Sequence, residues 1–149
     1  MKVYIGSDHG GFEMKEHLKC FIENLGHQII DFGTYSKDAV DYPDIAFLVA
    51  EKIGKESGTL GIMIDGAGVG SAITANKVPG VRAAACYDTF CARNSREHND
   101  VNLLTLGGKV TGFGMAEEIV KVWLSTNFAG GRHSRRVEKM MAVEKKFLR

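Results

Sequence analysis

The sequence predicts an α/β fold: a three-layer, doubly wound, five-stranded parallel sheet with a C-terminal helical arm. Three observations carry this. Five short apolar runs are each followed by a segment whose apolar residues recur at helical spacing. Polar turns rich in glycine, asparagine and aspartate separate them. And 149 residues, 44% hydrophobic and 25% charged, suit a single domain (1–149) built on one core. Strand then helix, five times over, buries every apolar run only if the strands lie parallel with helices on both faces.

Taken in order, "KVYIGS" is the first strand. "GFEMKEHLKCFIENLG" follows as a helix with Phe12, Leu18, Phe21, Ile22 and Leu25 on its apolar side and Gly26 as its stop. "HQIIDFG" is the second strand. Pro43 opens the second helix, because proline suits a first helical turn. "TLGIMI" and "VGSAITANK" are the third strand and helix, "VRAAAC" and "DTFCARNSREHN" the fourth pair. "VNLLTLG" and "GFGMAEEIVKVWLSTNF" are the fifth. A sixth helix has no sixth strand. Its apolar positions, Val137, Met140, Met141, Val143 and Phe147, make it an arm with a surface to cover.

Composition narrows the function. No apolar stretch reaches the length of a membrane span, and the start lacks the pattern of a secretory signal, so a cytoplasmic setting is expected. Cys20, Cys86 and Cys91 form no CxxC pair and read as reduced thiols. A net charge of +1 gives no global field for nucleic acid or anionic lipid, so neither partner is expected. His9, His17, His27, His98 and His133 show no metal-ligand spacing, and no metal or other cofactor is expected.

In a sheet of this kind, ligands bind beyond the carboxyl ends of the strands, where the strand order reverses. That rule selects "SDHGG" after strand one, "DGAGVG" after strand three, "YD" after strand four and "GGK" after strand five. The third loop is the informative one. Gly66, Gly68 and Gly70 alternate at a strand-to-helix turn, which can bare backbone amides to an oxyanion or phosphate or can simply be a tight turn. The spacing is neither a dinucleotide fingerprint nor a Walker loop. Asp65 ends the buried run just before it. Such an aspartate caps the next helix, or it is a base beside an amide-lined pocket, the pairing that proton abstraction next to a carbonyl requires.

With "SDHGGFEMK", "DYPD", "GAGVG…ANKVPGVRAA", "REHND" and "GGRHSRRV" in order, the whole chain resembles the RpiB/LacAB family of sugar-phosphate isomerases, the type-B ribose-5-phosphate isomerases above all. The resemblance implies a flavodoxin-like fold, no metal, and a homodimer or dimer of dimers with active sites shared between subunits. It implies that Asp8 and His9 line the sugar and phosphate end and that Tyr42 stands beside the site. Gly66, Ala67, Gly68, Val69 and Gly70 would supply amides for an enediolate, with Ser71 next to them. His98 would assist ring opening, Asn99 would bind hydroxyls, and His9, Arg132 and Arg136 would grip the phosphate. Arginines four apart share a helix face, as a phosphate clamp needs.

Two departures stand out. Relatives usually read Cys-Gly-Thr-Gly at the third loop, with the cysteine as base, and here Asp65, Gly66, Ala67 and Gly68 hold those places. The glutamate used by one branch of the family corresponds to Ser71. Lys109 stands where arginine is common, which keeps the charge and loses the bidentate fork. Asp65 resembles the A subunit of galactose-6-phosphate isomerase, which works with a cysteine-bearing partner. The expectation is therefore D-ribose 5-phosphate isomerisation with Asp65 as base. The alternatives are another sugar phosphate (galactose 6-phosphate, allose 6-phosphate or a tetrose phosphate) and a weak subunit that needs a partner chain.

Overall fold

A computed structural model describes residues 1–148. Strands β1 (Lys2–Ser7), β2 (Gln28–Asp31), β3 (Leu60–Asp65), β4 (Ala83–Ala85) and β5 (Leu103–Gly107) form one all-parallel sheet in the order β2-β1-β3-β5-β4. The helices are α1 (Phe12–Asn24), α2 (Tyr42–Lys55), α3 (Val69–Ala75), α4 (Thr89–Glu97), α5 (Phe113–Ser125) and α6 (Arg132–Phe147), with one 3-10 turn at His9–Gly11. The doubly wound expectation holds. Relative to the flavodoxin order 2-1-3-4-5, the last two strands have exchanged places. The "VRAAAC" run pairs over only three residues, because it lies on the edge and has one neighbour.

The order of the strands dictates which face each helix covers. Right-handed crossovers that step towards β2 or back from β4 to β5 put α1 and α4 on one face. Those that step the other way put α2 and α3 on the opposite face. The core divides accordingly. Met14, Leu18 and Ile22 of α1, Ala92 of α4, and Ile119, Val120 and Trp123 of α5 pack on one side, while Ala46, Val49, Ala50 and Ile53 of α2 with Ala75 of α3 pack on the other.

The direction of winding reverses between β1 and β3, so the ligand crevice of such a sheet lies beyond Ser7 and Asp65. The arm α6 lies by the β4 edge. Glu144 accepts from the Gly80 N–H at 3.1 Å, and the Arg82 guanidinium reaches the Met141 sulfur at 3.6 Å. Its outer residues Met140, Val143 and Phe147 remain exposed, Phe147 at 82%.

Candidate active site

Ser7 pairs with Ile64 in register, and the Asp8 N–H donates to the Ile64 carbonyl at 3.1 Å. The next residues, Asp8 and Asp65, are therefore neighbours at the reversal point, and both are buried. The Asp8 carboxylate accepts from the Gly11 N–H at 3.1 Å. Burial pushes its carboxyl above the ordinary carboxylate range, and the Asp65 charge adds to that. The Gly11 and Gly10 N–H groups and His9 pull the other way.

Asp65 does two jobs at once. One carboxylate oxygen accepts from the Gly68 N–H, and the other from the Ser71 N–H at 3.2 Å. Gly68 has φ +81, the left-handed conformation that glycine takes without strain, and this folds the loop back over the carboxylate. The capping function of Asp65 is thus present in the fold. It uses two of the four or so acceptor positions of a carboxylate, about half. The set of amides offered to a ligand is correspondingly smaller than the sequence reading assumed, since the Gly68 and Ser71 N–H groups face Asp65 itself. Val69 and Gly70, the first two residues of α3, keep N–H groups with no acceptor inside the helix.

Two residues that the sequence reading gave no role brace this loop from behind. The Tyr87 hydroxyl donates to the Ala67 carbonyl at 2.6 Å, and the Thr105 hydroxyl to the Gly68 carbonyl at 2.6 Å. With carbonyls 67 and 68 tied down, the loop's N–H groups are held towards the opposite side. The position of "YD" after strand four was the one signal for Tyr87. Thr105 looks like any small residue within a strand.

The remaining residues on this edge fit around the loop. A Cβ on Gly70 would collide with the Tyr42 ring, so that ring lies directly against the start of α3. The Lys109 N–H donates to the Gly66 carbonyl at 2.9 Å, and its side chain passes over Gly66. His9 is exposed, and its Nδ1 accepts from the Val40 N–H at 3.2 Å, which leaves Nε2 without a partner among the described residues. Ser71 lies next to these residues but turns its side chain away. It is fully buried, and its hydroxyl has no partner among the described residues, because its place in the first turn of α3 points it inward. What it brings to the site is its N–H.

His98, Asn99, Arg132 and Arg136 lie elsewhere. Helix α4 runs back from the carboxyl ends of the strands and stops at His98, next to the turn that starts β5. The length of β5, about 15 Å, separates that turn from the Asp65 loop. There the His98 and His133 rings stack at 4.0 Å and 12°. His133 stands in the first turn of α6, between the exposed Arg132 and Arg136. Burial holds the His133 imidazole below its ordinary range, with the His98, Arg132 and Arg136 charges adding to the effect. Arg132 and Arg136 make no ion pair with the described residues, so both remain available to an anion. The residues therefore fall into two clusters, one at the carboxyl ends of the strands around Asp65 and one at the amino end of β5 around His98.

Among the described residues no three His, Cys, Asp or Glu side chains come together as a metal site, and no helix is long and apolar enough to cross a membrane. None of the three cysteines lies in the loop. Burial raises the Cys86 thiol to about 11, and hydrogen bonding to Asp88 raises that of Cys91. Neither thiol is placed or poised to act as a base at the loop.

Comparison with known proteins decides the lineage. The sequence pattern of the family described as Ribose/Galactose Isomerase matches residues 3–140. The chain belongs to the ribose/galactose isomerase family. Its members named below are aldose–ketose isomerases, and the chain is an enzyme of that kind. It is 41% identical to ribose-5-phosphate isomerase B of Escherichia coli over 145 residues, 97% of each chain. The fold superimposes on ribose-5-phosphate isomerase B of Clostridium thermocellum with a TM-score of 0.96 at 49% identity, covering 99% of this chain and 100% of that one. It also matches the Mycoplasma genitalium ribose-5-phosphate isomerase B with bound ribulose-5-phosphate, with a TM-score of 0.93 at 39% identity and 97% of each chain covered.

Proposed function

We propose that the chain interconverts D-ribose 5-phosphate and D-ribulose 5-phosphate through an enediolate. The observation that carries this reading is the junction of the buried Asp65 carboxylate with the free N–H groups that open α3. A base and an oxyanion pocket share one loop at the reversal point of the sheet. The names of the relatives, and the ribulose-5-phosphate held by the Mycoplasma enzyme, support the choice of a pentose phosphate.

In this reading His98 assists opening of the furanose. Asp65 takes the proton from C2, the C–H electron pair forms the C1=C2 bond, and charge passes to O1. The Val69 and Gly70 N–H groups, with those of Gly66 and Ala67, hold that oxygen. Ala67 offers no hydroxyl to move the O2 proton to O1. Asp8, biased by burial towards its protonated form, suits the task. Return of the proton from Asp65 to C1 then leaves the carbonyl at C2, with both carboxyl groups restored.

His9 lies with Asp65 at the carboxyl ends of the strands, and Arg132 and Arg136 lie with His98 near the amino end of β5, so a phosphate clamp uniting them needs two chains. We infer a homodimer of 1–149 domains with each site shared. Exposed Phe90 (70%) and Phe147 (82%), with Met140 and Val143, give the β4 side an apolar face suited to a second copy. Free cysteines fit a cytosolic setting.

The test is ketose formation by the purified chain from D-ribose 5-phosphate, beside allose 6-phosphate, galactose 6-phosphate and a tetrose phosphate. The pentose is expected to show the highest kcat/KM. A tenfold preference for another sugar overturns the substrate assignment. The double engagement of Asp65 by Gly68 and Ser71 favours one second reading, a subunit that binds sugar phosphate and needs a partner chain for turnover. Saturable binding with no product from any of the four sugars would select it.

A further inference from the structure

The cluster around His98 contains a polarised chain of hydrogen bonds. The Asn99 side-chain N–H donates to the Asn94 carbonyl oxygen at 3.2 Å. The Asn94 side-chain N–H then faces the His98 Nδ1 at 3.0 Å. Asn94 lies one turn before His98 on α4, so the contact is the ordinary i, i+4 pairing of a helix face. Asn99 follows at once, where the chain leaves the helix, and reaches back to the same amide.

The direction of the chain has a chemical consequence. An amide offers a donor at its nitrogen and an acceptor at its oxygen, whereas each nitrogen of neutral imidazole is one or the other. Asn99 fills the oxygen of Asn94 with a donor. Turning the Asn94 amide over would then set N–H against N–H at Asn99 and so cost a hydrogen bond. Turning both amides over together would keep the two bonds but would leave a bare Nε2 lone pair towards the Glu97 carboxylate, so the polarity with the Asn94 N–H given to Nδ1 is the favoured one. The mobile proton of the neutral ring is left on Nε2.

Other neighbours agree with that placement. The Nε2 atom is 3.7 Å from a Glu97 carboxylate oxygen, too far for a hydrogen bond and on the side that favours a donor. It has no other polar partner among the described residues. The His133 ring stacks over the other face at 4.0 Å, so the imidazole plane is fixed as well as its tautomer. His98 is thereby aimed, with a free N–H outward, before any substrate arrives.

We propose that Asn94 and Asn99 are positioning residues which fix the neutral His98 ring as its Nε2–H tautomer, and that this N–H is the donor offered to the ring oxygen of the sugar. Asn99 thus acts through Asn94 as well as, or in place of, touching a hydroxyl. The donor role rests on the proposed isomerase reading, whereas the tautomer does not depend on any substrate. The two can therefore fail separately.

The experiment is a two-bond proton–nitrogen correlation spectrum of the intact protein with 15N-labelled histidine, at about pH 9, where an ordinary imidazole is neutral. In the wild type, His98 should show a protonated Nε2 and a bare Nδ1. Asn94→Asp replaces the donor by an acceptor and should move the proton to Nδ1. Asn94→Leu, which keeps the branching at Cγ and removes both polar atoms, should give a mixture of the two tautomers, and serves if the aspartate variant folds poorly. Asn99→Ala should weaken the preference while leaving the helix intact. Both Asn94 variants should lower kcat/KM on a cyclic sugar phosphate by up to about a hundredfold, the lower end of what one acid–base group contributes, because the ring is misdirected and not removed. A wild-type ring protonated at Nδ1, or an Asn94→Asp spectrum identical to the wild type, overturns the proposal.

Discussion

Replacing Asp65 by asparagine separates what the carboxylate does for the fold from what it does for chemistry. The amide oxygen of asparagine can still accept from the Gly68 N–H. Its nitrogen then faces the Ser71 N–H, donor against donor, where the aspartate holds a bond at 3.2 Å. A hydrogen bond to a charged acceptor is lost, and a buried N–H is left without a partner, so the cost should be about 1–3 kcal/mol. For a chain of this size that corresponds to a fall of roughly 3–10 °C in Tm. Differential scanning calorimetry of the wild type and Asp65→Asn measures it directly. Asp65→Ala, which leaves both N–H groups unpaired, should fall further. An Asp65→Asn protein that melts with the wild type would refute the reasoning, because it would mean that the loop does not depend on its carboxylate cap.

Tyr87→Phe removes the 2.6 Å bond to the Ala67 carbonyl. Tyr87 is partly exposed, so water can replace the lost donor and stability should change by less than about 1 kcal/mol, while kcat on the preferred sugar should fall severalfold as the loop loosens. Asp8→Asn should raise stability at neutral pH. A carboxyl pushed up in the folded state contributes stability that is fully present below its unfolded value and is lost as pH rises through the folded one, so the gain over wild type should vanish below about pH 4 in melting curves taken across pH. Phe90→Asp places a charge on the exposed apolar face beside β4, and sedimentation should show a monomer that has lost turnover.

The fold was legible because parallel strands buried on both faces read as unbroken apolar runs, and β3, buried from Leu60 to Asp65, is the clearest of them. The exchange of β4 and β5 was not, since neither run states which neighbour it pairs with, and three alanines give β4 no distinctive pattern. At the site, the sequence pointed to Asp65 and its glycines through their position after a strand. It did not show that Asp65 folds back on the Gly68 and Ser71 N–H groups, because that depends on the left-handed turn at Gly68. The direction of the Ser71 hydroxyl was not legible for a related reason: a side chain next to such a loop can point either way, and helix phase turned this one inward. Asn94 and His133 were missed because each acts on His98 through geometry, Asn94 by its place one turn earlier and His133 by a stack across 35 residues of chain that no local pattern records.

The central claim is that Asp65 of one chain and His98 of another complete a single site, and complementation tests it most directly. Asp65→Asn and His98→Asn proteins are each expected to be inactive as homodimers. When they are unfolded together and refolded as a mixture, half of the dimers should be mixed, and each of these holds one intact site and one doubly altered one. Turnover should return to about a quarter of the wild-type value. A mixture as inactive as its parents, with mixed dimers present, would contradict the account.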